Sequence, residues 1–302
     1  MLKNFSEIFA ELQGRDSRKR MVAAWGVDGH TVAAAGKAVG LGLADVTLVG
    51  DREKIEQACK AEGLDASVFT IVHNPDELSS VAQAVQMIRE GQGDFLMKGL
   101  CSTDKFLRAI LNKETGLLPP KGTLTHCTVL EIPTYHKLLF VGDVAVIPAP
   151  DFKQKQIIMG ELVKVARSVG NALPKVAILA ATEQVLTSQP ATIEAAMLSK
   201  MVERGQIKGC VADGPLALDV AIDQESVDIK GLVSPVAGDA DCLLFPNIES
   251  GNVFYKTNSK FVKGVRQAGI LVGAKVPCVL SSRADSIDTK LNSIAMAAMS
   301  VK

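Results

Sequence analysis

Several residue patterns are missing from this 302-residue sequence, and each absence excludes a class of partner. Lys plus Arg and Asp plus Glu number 33 each, so there is no net charge, and no basic run is interleaved with aromatics. Proteins that bind nucleic acid or anionic membranes usually carry a basic excess. No apolar run is long enough to cross a bilayer, and acidic side chains near the N-terminus are not typical of a signal peptide. We therefore expect neither a nucleic-acid nor a membrane partner.

The six cysteines do not form a CxxC pair, so the zinc-ribbon and thioredoxin patterns are also missing. Most of these cysteines stand beside Val, Leu or Ala, where a free thiol behaves as a small hydrophobe. This usage is typical of a reducing compartment, and we expect a cytoplasmic protein.

Nucleotide and hydrolase motifs are missing as well. Residues 40–46 (GLGLADV) contain two close glycines but not the third, and they precede an apolar run instead of following one. There is no GxxxxGK[ST] loop, HExxH pair or GxSxG elbow. The sequence therefore does not support a dinucleotide, P-loop, zinc-protease or serine-hydrolase site.

Apolar residues are plentiful, and their spacing predicts the fold class. They make up 47% of the chain against 22% charged and 4% aromatic residues, so we expect a core of Val, Leu, Ile and Ala. Continuous apolar runs alternate with helical segments, which is typical of parallel sheets covered on both faces. The alternation breaks at the Pro/Gly-rich connector 116–122, after which two apolar runs predict an antiparallel hairpin. We expect two α/β domains, because this length exceeds one ordinary core.

Polar residues follow the apolar strands, where parallel sheets bind their ligands. Helix N-termini at this edge offer free N–H groups and a partial positive charge, which suit phosphate. After the strand 276–280, residues 281–283 (Ser-Ser-Arg) form a turn, and Asp285 or Ser286 could cap the next helix. Two hydroxyls and a guanidinium in this place could bind an anion, or they could form only a polar turn.

A similar junction follows the strand at 94–99. We expect Asp104 to cap the helix that runs to Leu111. The residues here that could contact a phosphorylated ligand are Lys98, Gly99, Ser102, Thr103 and Arg108.

Two junctions in the second half of the chain carry glycine. The strand 210–213 is expected to end at the segment Asp213-Gly214-Pro215, and Pro215 is expected in the first turn of the helix that follows. Gly214 would let another backbone or a ligand approach closely. The second junction has a Gly-Asn pair just before a helical run, where it could contact a ligand or only cap the helix. Its candidate residues are Gly251, Asn252 and Lys256.

Taken together and in this order, these junctions resemble the phosphate acetyl/butyryltransferase family over most of the chain. The most specific matching segments are VADGPLALDVAI, SPVAGDADCLLFPNIESGNVFYK and VPCVLSSRADS. Two others, LMKGLCSTDKFLRAILNKETGLL and EIPTYHKLLFVGD, are more similar to the butyryltransferase branch. The resemblance implies exchange of an acetyl or butyryl group between acyl-CoA and acyl phosphate, with phosphate and coenzyme A as co-substrates. It implies no metal or redox cofactor, and a homo-oligomer.

The resemblance also implies a fold. It predicts two three-layer α/β/α domains with a cleft between them that holds the active site, as in isocitrate and isopropylmalate dehydrogenases. One domain would join residues 1–125 to residues 270–302, and the inserted domain would span 126–269. The connector at 116–122 fits that crossing point.

The resemblance assigns roles to individual positions of this sequence. Ser282 and Arg283 match the family's Ser-Arg pair, so Arg283 would bind the phosphate and Ser282 would hydrogen-bond the reacting acyl phosphate. The helical Arg of the acetyltransferases matches Leu107 or Arg108, of which we prefer Arg108.

The base for the coenzyme A thiol is the point at which this sequence departs from the acetyltransferases. They place an Asp at the position that is Thr289 here. Either Asp288 substitutes for it as a catalytic base, or Lys290 stabilises a thiolate instead.

Two other functions stay open at this point. A metal- and NAD-dependent dehydrogenase of the same fold could use Asp219 and Asp223, one helical turn apart, to hold Mg²⁺. Such a pair is more often a solvated helix face, and no nucleotide fingerprint accompanies it. A non-catalytic protein that binds coenzyme A or phosphate is the other alternative, because the usual Asp is missing.

Overall fold

The computed structural model describes residues 1–281 and 285–301, and the chain divides into two compact units. The first unit consists of Phe5–Leu124 and Arg266–Lys302. The second unit consists of Thr125–Val265 and Met1–Asn4. Each unit thus combines stretches that are far apart in the sequence.

Strands and helices alternate along the described residues. The strands are β1 (Lys19–Ala24), β2 (Ala44–Gly50), β3 (Thr70–His73), β4 (Phe95–Lys98), β5 (Thr125–Glu131), β6 (Leu139–Gly142), β7 (Lys175–Leu179), β8 (Val211–Leu216), β9 (Cys242–Leu244), β10 (Arg266–Val272) and β11 (Cys278–Val279). The helices are α1 (Phe5–Gln13), α2 (Gly29–Gly40), α3 (Arg52–Ala61), α4 (Glu77–Arg89), α5 (Thr103–Leu111), α6 (Phe152–Ser168), α7 (Pro190–Glu203), α8 (Leu218–Ile222), α9 (Gln224–Lys230), α10 (Ile248–Phe261) and α11 (Ile287–Ser300).

The strands of the first unit lie in the order β3-β2-β1-β4-β11-β10. Neighbours run parallel except β10, which is antiparallel to β11. All four residues of β4 are buried, as are residues 21–24 of β1. Because successive side chains of a strand point to opposite faces, these strands are covered on both faces. This confirms the predicted α/β class for the unit.

The order of these strands creates a crevice at one edge. The chain moves outward from β1 through β2 to β3 and then returns to the other side of β1 to form β4. In open α/β sheets such a reversal separates the loops after the two central strands, and ligands bind beyond their carboxyl ends. The topology therefore favours the carboxyl ends of β1 and β4 as a position for a ligand.

The second unit has the strand order β5-β6-β9-β7-β8. β5 and β6 form the predicted antiparallel hairpin, with Val129 opposite Phe140, and the other neighbours are parallel. Its core packs aliphatic strand residues such as Leu139 and Leu243 against Phe245. A mainly aliphatic core is what the low aromatic content requires.

Three local predictions are wrong. Ser102, not Asp104, caps α5, because its Oγ accepts a hydrogen bond from the Lys105 N–H, while Asp104 lies in the first turn. Residues 213–215 lie inside β8 instead of after a strand, so Pro215 is a strand residue and the next helix begins only at Leu218.

The third concerns α10, which begins at Ile248 and is capped by Asn247. Gly251 and Asn252 therefore lie inside the helix and not before it. The Asn247 side chain accepts the Ser250 N–H, which starts the helix earlier than the apolar pattern suggested.

Within the described residues, no helix is both long and apolar enough to cross a membrane.

All six cysteines are free and buried. Burial raises the pKa of Cys101 to about 11 and that of Cys278 to about 12, so both are neutral thiols near pH 7. They pack as small hydrophobes, as the sequence predicted.

A cluster of charges ties together the amino ends of β6, β7 and β9. Lys137 is buried, and its Nζ lies 2.8 Å from Asp239 Oδ1 and 2.7 Å from Asp241 Oδ1. Lys175 Nζ lies 2.9 Å from Asp239 Oδ2. Burial of the Asp239 carboxyl opposes its ionisation, but hydrogen bonds from Lys137 and Lys175 outweigh this effect and hold its pKa well below the usual range.

We expect Asp239→Asn to destabilise the protein at pH 7 by about 1 kcal/mol, a value that allows for solvent screening of a partly exposed carboxylate. Because the folded-state pKa is lowered, ionised Asp239 stabilises the fold above its ordinary pKa of 3.8, and this contribution is lost as the pH falls below that value. Urea denaturation from about pH 5 to pH 2 should therefore show a steeper loss of unfolding free energy in the wild type than in the variant.

The matched control is Asp45→Asn, since Asp45 is exposed and lies 3.7 Å from Arg18 Nη1. It should leave the wild-type slope unchanged. Equal slopes for the wild type and Asp239→Asn would show that the cluster does not stabilise the fold.

Candidate functional site

The carboxyl ends of β1, β4 and β11 lie side by side at one edge of the first unit. Ala24 pairs with Lys98, and Met97 pairs with Val279, so the three strands end at nearly the same level. The helices that follow these strands are capped by Asp28, Ser102 and Ser286. Three helix N-termini with free N–H groups thus follow strands at this edge, an arrangement suited to anions.

Ser281 and Lys290 meet at the end of β11. Both are buried, with exposed fractions of 5% and 6%, and Lys290 Nζ donates a hydrogen bond to Ser281 Oγ at 3.0 Å. Burial lowers the pKa of Lys290, while the carboxylates of Asp28 and Asp285 act in the opposite direction. A buried ammonium group therefore lies beside the residues that lead into positions 282 and 283. Ser282 and Arg283 themselves lie outside the described residues.

Asp288 occupies a different environment from Lys290. Its side chain is 77% exposed, and Oδ1 lies 3.1 Å from Lys37 Nζ. Two residues along a helix correspond to a rotation of about 200°, so Asp288 and Lys290 point to opposite sides of α11. The structure thus brings Lys290, and not Asp288, into contact with Ser281. Thr289 lies between them and donates its N–H to Ser286 Oγ, as part of the helix cap.

The turn after β4 is held by Lys98. This residue is buried, and its Nζ donates to the carbonyl oxygens of Gly99 at 3.1 Å and Cys101 at 3.0 Å. Gly99 packs against β1 so tightly that a Cβ would lie 2.2 Å from the Trp25 carbonyl oxygen. Lys98 and Gly99 therefore shape the turn that leads to α5.

The remaining residues of this junction lie along α5. Ser102 caps the helix, and Thr103 is exposed in its first turn. The Arg108 side chain is 80% exposed, and its Nε lies 3.1 Å from a carboxylate oxygen of Asp104. Arg108 lines a groove of about 750 Å³ between α4 and α5, together with Asn74, Gln83, Lys105 and Asn112.

In the second unit, residues 213–215 pack against the neighbouring strand. Asp213 Oδ1 accepts hydrogen bonds from the Gly214 N–H at 2.8 Å and from Ser199 Oγ at 3.4 Å. A Cβ on Gly214 would lie 2.7 Å from the Ile178 carbonyl oxygen. Of the two alternatives for Gly214, the structure shows the close approach of another backbone. Pro215 is buried within the strand.

Gly251 and Asn252 fix α10 to the loop after β6. A Cβ on Gly251 would lie 2.5 Å from the Asp143 carbonyl oxygen, and Asn252 Nδ2 donates to the Val144 carbonyl oxygen at 2.9 Å. Lys256 lies further along the same helix and is exposed. The Gly-Asn pair thus holds the helix start, and Lys256 is a separate exposed cation.

The carboxylates considered for a metal have other partners. Asp219 Oδ2 lies 3.0 Å from Lys230 Nζ, and Asp223 Oδ2 accepts hydrogen bonds from the N–H and Oγ of Ser226. Among residues 1–281 and 285–301, no three His, Cys, Asp or Glu side chains come together as metal ligands would. The geometry gives these two carboxylates structural roles.

A family model described as "Phosphate acetyl/butaryl transferase" matches residues 77–298, which is more than half of the chain. The chain belongs to the phosphate acetyl/butyryl transferase family. The resemblance inferred from the strand-end motifs is confirmed.

Individual members of the family match over nearly the full length. The chain is 45% identical to the phosphate butyryltransferase of Clostridium acetobutylicum, over 99% of this chain and 98% of that protein. It is 42% identical to the phosphate acetyltransferase of Rhizobium meliloti, over 90% of this chain and 85% of that protein. The crystal structure of a branched-chain phosphotransacylase from Enterococcus faecalis has a TM-score of 0.82 at 28% identity, covering 94% of this chain and 99% of that one.

Two carboxylates that follow strands were not predicted from the sequence. Asp143 comes directly after β6, is 2% exposed, and accepts hydrogen bonds from Thr125 Oγ1 and the N–H groups of residues 126, 145 and 146. Asp28 follows β1, caps α2 by accepting the Thr31 N–H, and faces the charge of Lys290. Both residues follow an apolar strand. The search for polar residues after apolar strands, which found Ser281, would therefore also have found them.

We expect Gly99→Ala to destabilise this transferase by about 2–4 kcal/mol, because the new methyl group would overlap backbone atoms that cannot move independently. Thermal unfolding measures the effect, and the activity should fall in parallel as the turn shifts. The matched control is Gly160→Ala, since nothing lies within 4 Å of a Cβ there and the position is in α6. The control should gain up to about 1 kcal/mol from helix propensity. Equal stability of the two variants would contradict the close packing at Gly99.

Proposed function

We propose that this chain transfers a short acyl group between coenzyme A and phosphate at the edge formed by the ends of β1, β4 and β11. Acyl-CoA and phosphate give acyl phosphate and coenzyme A, and the reaction runs in both directions. Apart from family membership, the observation that carries this proposal is the buried contact between Lys290 and Ser281. It provides a cation and a hydroxyl at the strand end that leads into the family's Ser-Arg pair.

The acyl group is acetyl or butyryl in this proposal. Relatives that cover almost the whole chain are named for butyryl and for acetyl transfer. Both reactions involve the same bonds, so the residues that act on the carbonyl and the phosphate are shared, and only the space around the acyl chain differs.

Arg283 holds the phosphate, because a guanidinium group binds a tetrahedral oxyanion through two parallel charged hydrogen bonds. A phosphate oxygen attacks the thioester carbonyl carbon, and negative charge builds on the carbonyl oxygen. Ser282 donates a hydrogen bond to that oxygen, and a positioned donor of this kind lowers the barrier by roughly 3–4 kcal/mol. Holding both substrates in line could supply roughly 7–11 kcal/mol more.

Lys290 acts on the leaving group. When the C–O bond forms and the C–S bond breaks, the electron pair stays on the coenzyme A sulfur, and the ammonium group stabilises the thiolate or donates its proton to it. Burial lowers the pKa of Lys290 from its ordinary value toward that of a thiol, about 8.5. A closer match of the two pKa values makes proton transfer in either direction more efficient. We therefore assign to Lys290 the role that an Asp has in the acetyltransferases.

The other candidates support this edge or offer charges to coenzyme A. Lys98, Gly99 and Ser102 set the shape of the turn before α5. The exposed cations are the side chains that could pair with coenzyme A phosphates, and the other positions are kept as proposed binding residues from the sequence motifs alone. These residues are Arg108, Lys256, Thr103, Asp213, Gly214, Pro215, Gly251 and Asn252.

Phosphate-dependent release of thiol from acetyl-CoA and butyryl-CoA tests the activity. We expect Arg283→Ala to raise the KM for phosphate about 10- to 100-fold, which corresponds to losing charged hydrogen bonds of about 1.5–3 kcal/mol. Ser282→Ala should mainly lower kcat, by about 100- to 1000-fold. The control Arg18→Ala removes an exposed guanidinium group of the same unit and should leave both constants unchanged. Wild-type constants in both test variants would refute the site assignment.

Lys290→Met should lower kcat about 100-fold or more, because it removes the acid that meets the leaving thiolate. The ammonium form is active, so the wild-type kcat should fall as the pH rises through the lowered pKa of Lys290, below the ordinary lysine value of 10.5. The variant should lack this alkaline decrease.

Two controls separate this role from its alternatives. Lys37→Met removes an exposed ammonium group near the same helix and should leave the pH profile unchanged. Asp288→Asn should keep a kcat near that of the wild type, because this carboxylate is exposed. A collapse of kcat in Asp288→Asn with an unchanged alkaline limb in Lys290→Met would assign the thiol chemistry to Asp288 instead.

A further inference from the structure

The ammonium group of Lys290 lies where its charge is disfavoured. The side chain is buried, and it stands near the start of α11, which Ser286 caps. Burial and the positive end of a helix dipole both oppose a positive charge. Ser281 Oγ accepts a hydrogen bond from Lys290 Nζ at 3.0 Å, but a hydroxyl group carries no negative charge. A carboxylate close to Lys290 would therefore favour its protonated form.

Helix α2 brings such a carboxylate to the same edge of the sheet. Asp28 follows β1 and caps α2, while Ser281 follows β11, so both lie beyond the carboxyl ends of strands of one unit. Helix α2 packs against α11, and an ion pair of 3.1 Å between Lys37 Nζ and Asp288 Oδ1 connects the two helices. In this arrangement the charge of Asp28 acts on Lys290.

Both charged groups are held in fixed positions. The Thr31 N–H donates to Asp28 Oδ1 at 3.0 Å, and Thr31 Oγ1 donates to Asp28 Oδ2 at 2.6 Å. Thr31 is buried, so the carboxylate is fixed by a residue that is itself packed. Ser281 fixes the ammonium group in the same way. The entropy cost that weakens exposed ion pairs of flexible side chains is therefore reduced here.

The described charges around Lys290 differ in what they contact. Asp28 acts on it most strongly, and Asp285, in the segment before α11, acts in the same direction but less strongly. Charged side chains on the elements packed against α11 contact other groups: Lys37 contacts Asp288, Lys98 of β4 contacts carbonyl oxygens of its turn, Arg266 of β10 contacts Asn292, Arg15 of α1 contacts Glu11, and Asp45 of β2 contacts Arg18. His30, in the first turn of α2, is exposed. Arg283 lies outside the described residues, and an arginine keeps its charge at every pH used below.

We propose that Asp28 is a positioning residue of this transferase, whose carboxylate keeps the ammonium group of Lys290 protonated beside Ser281 for the leaving thiolate. The inference rests on the proposed function, which assigns the thiolate to Lys290. Asp28 acts through Lys290, because an opposite charge nearby favours the charged form of a lysine. Without this carboxylate, burial of Lys290 would be opposed among the described residues only by the weaker effect of Asp285.

Asp28→Asn tests the proposal, because asparagine caps a helix about as well as aspartate and the change removes only the charge. Loss of the carboxylate should lower the pKa of Lys290 further. We therefore expect the alkaline decrease in kcat, measured by phosphate-dependent release of thiol from butyryl-CoA, to move to lower pH by about half a unit to one unit. A purely structural role of Asp28 would lower kcat at every pH and leave the position of this decrease unchanged. That result in the folded variant would overturn the proposal.

The matched control is Asp51→Asn. Asp51 follows β2 of the same sheet and caps α3, where it accepts the N–H groups of Glu53 and Lys54. It has the same charge and the same capping role as Asp28, but it is not among the described groups that act on Lys290. The control should leave the pH profile unchanged. An equal displacement in both variants would reflect the net charge of the protein and would contradict a specific role of Asp28.

Titration of Lys290 by NMR gives a readout that does not depend on activity. In protein labelled with ¹³C at the lysine Cε atoms, the Lys290 resonance is the one that disappears in Lys290→Met. Its titration midpoint should lie at lower pH in Asp28→Asn than in the wild type, and it should not change in Asp51→Asn. An unchanged midpoint in Asp28→Asn would show that the carboxylate does not act on Lys290.

The inference and the proposed function fail separately. If the wild type releases no thiol from acetyl-CoA or butyryl-CoA in the presence of phosphate, the proposed function is wrong. If thiol is released but neither the kcat profile nor the Lys290 resonance moves in Asp28→Asn, only the role of Asp28 is wrong. A resonance that moves while the kcat profile stays in place would show that Lys290 is not the acid, and it would overturn the roles of both residues in the reaction.

Discussion

The close contact between two backbones, at Gly99 and Trp25, is the constraint on which the edge formed by the carboxyl ends of β1 and β4 depends. A side chain at position 99 would overlap the Trp25 carbonyl group, so only glycine lets the turn after β4 settle against β1. Once it does, the Leu100 N–H reaches the same carbonyl oxygen, and the Lys98 ammonium group binds the carbonyl oxygens of the turn. The start of α5 follows from this one approach.

The contact between Lys290 and Ser281 places an ammonium group where water cannot fully solvate it. Burying a charge is costly unless hydrogen bonds and opposite charges compensate, and here Ser281 accepts one bond while Asp28 and Asp285 supply negative charge. Burial outweighs the effect of the two carboxylates, so the pKa of Lys290 is lowered. A lysine whose pKa is lowered in this way releases its proton more readily than an exposed lysine does.

The second unit is built by the same kind of close approach. Gly214 lets β8 lie against the Ile178 backbone, and Gly251 lets α10 lie against the loop that begins at Asp143. The Asp143 carboxylate holds that loop through four hydrogen bonds, and Asn252 ties the helix to it. Residues that appear functional in the sequence because they are small or polar therefore also have a packing role, which the sequence cannot separate from ligand binding.

Much of this protein is determined by its sequence alone. Continuous apolar runs between helical segments are enough to predict parallel strands, because only strands buried on both faces need them. The family could be recognised from the order of short motifs along the chain, although two of these motifs lie inside β8 and α10 and not at strand ends. The predicted starts of α5 and α10 were less accurate. Several polar residues near the start of a helix can cap it, and only the folded backbone selects one of them. The different environments of Asp288 and Lys290 also needed the tertiary structure: they are two residues apart in sequence, but the packing of α11 buries Lys290 against Ser281 and leaves Asp288 in solvent.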